Sequence, residues 1–118
     1  MAFSDCTSLT SIIIPNSVTT IAGGLTGGNW YGSFYASGLT NVTIGSGVKN
    51  IGEGAFGRCK SLTSVTFVSG SNIPYDNFEE NAFPGGFYND SLKAAYYNST
   101  GRAGTYTRPA NGLTWTKS

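Results

Sequence analysis

The chain has 118 residues, enough for one domain with a modest core. Its 17 glycines, its 11% of charged residues and its short runs of Thr, Ser, Asn, Ile and Val favour a mostly β fold. Scattered charges with a net value of +1 exclude the positive field that nucleic-acid binding needs. The longest apolar run, Ile12 to Ile14, is far below the ~20 residues of a membrane-spanning helix, and no signal peptide is recognisable before the first repeat.

A repeat dominates the sequence. Segment 1–14, MAFSDCTSLTSIII, returns almost position for position as 54–67, GAFGRCKSLTSVTF, and with one residue deleted as 34–44, FYASGLTNVTI. Apolar residues at fixed positions of a repeat are typical of coils that bury their hydrophobic edges by stacking on one another. We predict a mostly β solenoid of about three coils in domain 1–83, near residues 2–33, 34–54 and 55–83.

Each coil contains a segment of the form Leu-x-x-Ile-x-Ile, whose alternation predicts a short strand. Stacked strands should form a parallel sheet with four inward ladders: Phe3, Phe34, Phe56 and Phe83; Leu9, Leu39 and Leu62; Ile12, Val42 and Val65; Ile14, Ile44 and Phe67. A second, shorter ladder is expected from Val18, Val48 and Tyr75 and from Ile21, Ile51 and Phe78.

Residues 84–118 break the repeat and are predicted to be a capping unit. Asp90 to Tyr97 begins with a helix-capping residue and contains good helix formers, which predicts a short helix. Segments 104–108 and 113–117 alternate and flank Asn111-Gly112, which predicts a β-hairpin. This unit would cover the last coil and its strand edge. The tail's aromatic residues are expected to form a small core of the cap's own: Phe87, Tyr88, Tyr96, Tyr97, Tyr106 and Trp115.

The repeat resembles the BspA-type (treponemal-class) leucine-rich repeat family of bacterial surface proteins. That family's pattern is Ala-Phe, a Cys three residues on, Leu-x-x-Ile-x-Ile-Pro and then Val-x-x-Ile-Gly. The first coil matches it at Ala2-Phe3, Cys6, Leu9, Ile12, Ile14, Pro15, Val18 and Ile21, and the pattern is matched again at Ile51-Gly52, Ala55-Phe56, Cys59, Leu62, Val65 and Phe67. The middle coil departs from it, because Ser37 stands in place of the Cys and a Gly-rich insert precedes it.

The resemblance, which spans about residues 2–83, implies a leucine-rich-repeat solenoid at the cell surface or secreted. It implies non-catalytic binding to host extracellular-matrix proteins or cells and supplies no site residues. Because the chain enters inside a repeat, we expect that it belongs to a longer parent or has lost its first segment. The uncovered strand of the first coil then predicts self-association through the N-terminal coil.

The outward strand residues are the first candidates for an interaction surface. They would line a concave face that is neutral and rich in hydroxyl groups: Ser11, Ile13, Asn41, Thr43, Ser64 and Thr66. Such a face suits a weakly charged protein or glycan ligand, although threonine is also simply a good strand former.

Trp30 and Tyr31 are the second candidates, because they lie in a Gly-rich excursion, residues 23–33, that the repeat does not require. We expect this excursion to be a loop, and loops on rigid scaffolds often carry contacts. The alternative is that Trp30 folds back to fill the gap between the first two coils.

No catalytic residue, cofactor or metal is predicted. The chain has no His to act as base or ligand. Cys6 and Cys59 share a repeat position two coils apart, about 10 Å by strand spacing, so we expect no bridge and two buried thiols. The acidic residues lack ligand-loop spacing and are expected on the surface: Asp5, Glu53, Asp76, Glu79, Glu80 and Asp90. A structural spacer or assembly unit is the alternative function, followed by a carbohydrate-active enzyme.

Overall fold

The computed structural model describes residues 8–26, 29–34, 37–79, 81–85, 90–99, 101–110 and 112–117, with the backbone alone described for 24–26 and 29–31. The strands are β1 (Ser11–Ile14), β2 (Thr20–Ile21), β3 (Gly23–Thr26), β4 (Asn29–Gly32), β5 (Asn41–Ile44), β6 (Asn50–Ile51), β7 (Ser64–Phe67), β8 (Gly104–Thr107) and β9 (Thr116–Lys117). A 3₁₀ helix, η1 (Tyr75–Asn77), and one α-helix, α1 (Leu92–Asn98), complete the described elements.

A mixed five-stranded sheet has the order β1-β5-β7-β8-β9. Its first three strands come from successive repeats and pair in parallel, with Ile12 beside Val42 and Val42 beside Val65. The same register places Ile14 beside Ile44 and Ile44 beside Phe67. The predicted strand ladders are therefore confirmed for these residues.

The second ladder is confirmed at Ile21, Ile51 and Phe78. Strands β2 and β6 pair in parallel, and Phe78 adds a single bridge to Ile51. The prediction that Tyr75 continues the inward Val18 and Val48 ladder is wrong, because Tyr75 is 60% exposed. The 3₁₀ turn at Tyr75–Asn77 contains no buried residue, and Ile73, just before it, is buried instead.

A column of stacked aromatic rings runs along the coils. The Phe34 and Phe56 rings lie 4.9 Å apart and nearly parallel, and those of Phe56 and Phe83 lie 4.7 Å apart. These distances match the spacing of hydrogen-bonded strands, so equivalent side chains meet directly. The predicted Phe ladder is confirmed from Phe34 onward, and Phe3 lies outside the described residues.

The C-terminal segment extends the sheet by adding β8 antiparallel to β7. Helix α1 begins after Ser91, whose hydroxyl accepts the N–H of Ala94, rather than at Asp90. The prediction of a separate cap core is wrong. Tyr96 and Tyr106 are fully buried in the same core as the repeats, with ring centroids 4.6 and 5.7 Å from that of Phe67. Phe87 and Tyr88 lie outside the described residues.

The predicted cap hairpin is confirmed in its antiparallel pairing, but its second arm is shorter than the predicted segment 113–117. Strand β9 pairs with β8 only at Thr116 and Lys117, so residues 108–115 form the connection. Within it the Gly112 N–H donates to the Pro109 carbonyl. The second arm is shortened because Trp115 is buried and its indole N–H donates to the Pro84 carbonyl at 2.7 Å.

The Gly-rich insert is a second hairpin, so its prediction as a loop is wrong. Strands β3 and β4 pair antiparallel from Gly23 opposite Gly32 to Thr26 opposite Asn29. Both glycines at the base lie against the second coil, where a Cβ atom would come within 2.2 Å of the Glu53 carbonyl oxygen or 2.3 Å of that of Gly54. Glycine therefore seats the hairpin on the neighbouring coil.

Arg108 fastens the cap to the last coil. Its side chain is buried, and its N–H groups donate to the carbonyls of Leu62 at 2.8 Å, Lys60 at 3.1 Å and Gly112 at 2.8 Å. The guanidinium also lies 5.6 Å from the Trp115 ring. Burial lowers the pKa of Arg108, yet an arginine stays protonated at neutral pH. One cation thus satisfies carbonyl groups from both sides of the junction.

We expect Arg108→Gln to lower the free energy of unfolding by about 2–4 kcal/mol, because it removes charge-assisted bonds and leaves buried carbonyls without donors. Denaturant titration measures the change. Arg58→Gln is the matched control, since Arg58 is exposed and loses the same charge. Equal stability of the two variants would show that Arg108 does not hold the cap.

Candidate functional site

The outer face of the five-stranded sheet brings six of the predicted site residues together in two rows. The register aligns Ser11, Asn41 and Ser64 in one row and Ile13, Thr43 and Thr66 in the other. Ser11, Ile13 and Asn41 are exposed, and the other three are partly exposed. The strands hold these side chains outward because the alternate residues of the same strands enter the core.

The cap extends both rows beyond the repeats. Thr107 lies opposite Ser64, and Thr105 lies opposite Thr66. The Thr66 and Thr105 hydroxyls are 2.9 Å apart and form a hydrogen bond across β7 and β8. Thr116, opposite Thr107, ends the first row. These three residues were not among the predicted site residues, although the alternation in segments 104–108 and 113–117 carries the signal that would have found them.

The rows form a neutral lattice of short polar side chains. Neighbouring strands are about 4.8 Å apart, and alternate residues along a strand about 6.7 Å. The described rows contain hydroxyl groups, one amide at Asn41 and one aliphatic side chain at Ile13, without a charged group. Ser, Thr and Asn can donate and accept hydrogen bonds, so this face suits uncharged polar ligand groups.

Trp30 and Tyr31 lie on β4, with Trp30 opposite Leu25 and Tyr31 opposite Gly24. Their side chains fall outside the described part of the chain. Their hairpin is a separate sheet from the five-stranded sheet that carries the two rows. Their role as interaction residues, and the alternative that Trp30 fills the gap between coils, therefore both stay predictions.

The cysteine position of the repeat lies in the core, where Cys59 contacts the preceding coil. Cys59 is a fully buried thiol that donates to the Phe34 carbonyl at 3.0 Å, and its sulfur lies 3.3 Å from the Ser37 hydroxyl. Ser37 thus sits one coil away at the equivalent position. Cys6 lies outside the described residues. The predicted burial is confirmed for Cys59, and the absence of a bridge stays a prediction.

The acidic side chains do not assemble into a site in the described residues. Glu53, Asp76 and Asp90 are exposed, and Glu79 is partly exposed. No group of three or more His, Cys, Asp or Glu residues that could hold a metal ion is found in the part of the chain that the structure describes. Asp5 and Glu80 lie outside that part.

A cluster of aromatic and basic side chains lies where the third coil meets the cap. The Lys93 ammonium sits 3.9 Å from the centroid of the exposed Tyr75 ring, and the Arg102 guanidinium sits 4.8 Å from that of Tyr97. The Tyr97 hydroxyl donates to the Ile73 carbonyl. Desolvation raises the pKa of Tyr97 above its usual range, so its phenol stays neutral and keeps this bond. These contacts stabilise the junction.

Comparison with known proteins gives one family. The model of the BspA type leucine rich repeat region (6 copies) matches residues 31–100. That match covers more than half of the chain, and the chain belongs to this family. Searches of curated proteins and of solved structures gave no significant match. No helix in the described residues is long and apolar enough to cross a membrane.

The cross-strand pair of Thr66 and Thr105 tests whether the cap continues the face. We expect a double-mutant cycle of Thr66→Val and Thr105→Val to give a coupling energy of about 0.2–1 kcal/mol in unfolding experiments. Thr43→Val with Thr105→Val is the control cycle, because β5 and β8 are not neighbours. The same coupling in both cycles would argue against a direct bond across β7 and β8.

Proposed function

We propose that the chain is a non-catalytic protein-interaction module whose repeats form a short solenoid and whose outer sheet face binds a protein ligand. The observation that carries this proposal is the pair of neutral rows that crosses the three parallel strands of the five-stranded sheet and continues onto the cap. The strand pairing does not require these side chains to be polar or neutral. A leucine-rich repeat family is in general an interaction scaffold without catalysis, which supports the proposal.

The chemistry of the face favours a weakly charged partner. Short Ser, Thr and Asn side chains lose little conformational entropy when they are ordered, so their contacts cost less than those of Lys or Arg. The exposed Ile13 adds apolar area at one end. An uncharged, extended segment of a protein would match hydroxyl groups repeating at strand spacing. A glycan is the second ligand class.

Family membership supports a surface or secreted location, because proteins with this repeat are typically surface-associated. We therefore propose adhesion to extracellular-matrix proteins or to the host cell surface as the biological role. Trp30 and Tyr31 are proposed as additional contacts at the side of the module. The alternative role is a structural spacer or assembly unit, which the position of β1 at an edge of the described sheet favours.

We expect the wild-type chain to bind at least one immobilised matrix glycoprotein or arrayed glycan, and Thr43→Lys to weaken that binding about tenfold or more by placing a charge in the centre of the rows. Surface plasmon resonance measures the dissociation constants. Thr19→Lys is the matched control, since Thr19 is exposed and precedes β2, away from the five-stranded sheet. Equal binding of both variants would contradict the assigned face.

A further inference from the structure

The two edges of the five-stranded sheet differ in how well they are protected against pairing with a strand of another molecule. The edge at β9 is two residues long and ends in Lys117, as is usual for an edge that avoids pairing. The edge at β1 has four residues and no charge. In the sequence no charged residue lies between Asp5 and Lys49. The β1 edge therefore lacks the charges that keep strands of separate molecules apart.

The side chains around β1 are also less covered than their equivalents in the next coil. Ile13 is 75% exposed. Beside it lies an apolar depression of about 310 Å³, lined chiefly by Ile12, Ile14, Val18, Ile21 and Phe34. In the second coil Ile44, Val48 and Ile51 have at most 1% of their surface exposed. Apolar surface of this kind favours association.

We infer that β1 pairs with β1 of a second copy of this chain across a two-fold axis, which joins the two five-stranded sheets edge to edge. A head-to-tail arrangement would need the opposite end of the repeats, and β8 already occupies that edge of β7. The other edge of the described sheet, β9, ends in Lys117, so the neutral edge that matches β1 is β1 of a second copy. Because residues between Asp5 and Lys49 are uncharged, the two surfaces do not repel each other.

Antiparallel pairing on a repeat strand already exists in this chain. Strand β8 pairs antiparallel with β7 although β7 is parallel to β5, and outward residues oppose outward residues, as Thr66 opposes Thr105. A two-fold pairing of β1 would repeat this arrangement. It would place Ser11 and Ile13 on the outer face and Ile12 on the inner face of both copies.

The hydrogen-bonding pattern of β1 limits the register to pairs of residues whose backbone groups face away from the sheet. The Thr10 carbonyl accepts the N–H groups of Thr40 and Asn41, so the groups of Thr10 and of alternate residues after it face β5. The backbone groups of Ser11 and Ile13 therefore face away from the sheet. Pairing Ser11 with Ile13 of the partner subunit satisfies both sets and centres the axis on Ile12. A shift that opposes Ile13 to Ile13 of the partner subunit would set Ser11 against Pro15, which lacks an N–H.

Light scattering and sedimentation of the full chain test the pairing. At about 100 μM we expect a mass twice the chain's 12.4 kDa. Ser11→Pro should give a monomer, because it removes an outward N–H, and proline is tolerated at an edge strand. Ile13→Lys should also give a monomer, whereas Thr43→Lys, with the same charge on a central strand, should stay dimeric.

A cysteine cross-link tests the register. Ile12→Cys should give a disulfide-linked dimer on oxidation, because residues on the axis have Cα atoms about 4.5 Å apart, within bridging range. Thr43→Cys is the control and should not cross-link. A wild-type monomer, an open series of larger oligomers, or a dimer indifferent to both Ser11→Pro and Ile13→Lys would each overturn the inference. These readouts are independent of ligand binding, so the proposed function stands or fails separately.

Discussion

Parallel, in-register hydrogen bonding between successive coils is the constraint on which the structure depends. Once Ile12, Val42 and Val65 are aligned, every equivalent residue lies one strand spacing from the next. Phenylalanine rings must then stack, as Phe34, Phe56 and Phe83 do. The same spacing brings Ser37 against Cys59. Each coil thus has a core only because its neighbours repeat its pattern.

Stacking leaves the last parallel strand, β7, with an edge that another segment must pair, and the cap supplies it. At the C-terminal end an antiparallel strand satisfies the last parallel edge, and Tyr96 and Tyr106 cover Phe67. Arg108 completes the junction by donating to carbonyls of the coil and of the cap. The hydrogen bonds from its guanidinium group to these carbonyls are directional. They therefore fix the cap in one register, which apolar packing alone would not do.

The proposed binding surface consists of residues that stacking leaves unconstrained. Inward positions must be apolar, whereas outward positions such as Asn41 and Thr43 face solvent and tolerate many side chains. A neutral, hydroxyl-rich surface across repeats and cap is therefore a property of this particular chain. The insert hairpin is a second such feature, because Gly23 and Gly32 allow it to rest on the adjacent coil without disturbing the stack.

The sequence alone determined the repeats, their strands and the ladder partners, because periodic apolar residues can be buried only in one register. It also placed the six strand candidates on one face. The tertiary structure decided the turns and the cap pairing, which the periodicity of the repeats does not encode. Tyr75 is exposed because a 3₁₀ turn replaces extended backbone, and the second arm of the cap hairpin is short because Trp115 is buried and donates to the Pro84 carbonyl. Thr105 and Thr107 joined the face only through long-range pairing with β7, which local sequence cannot specify.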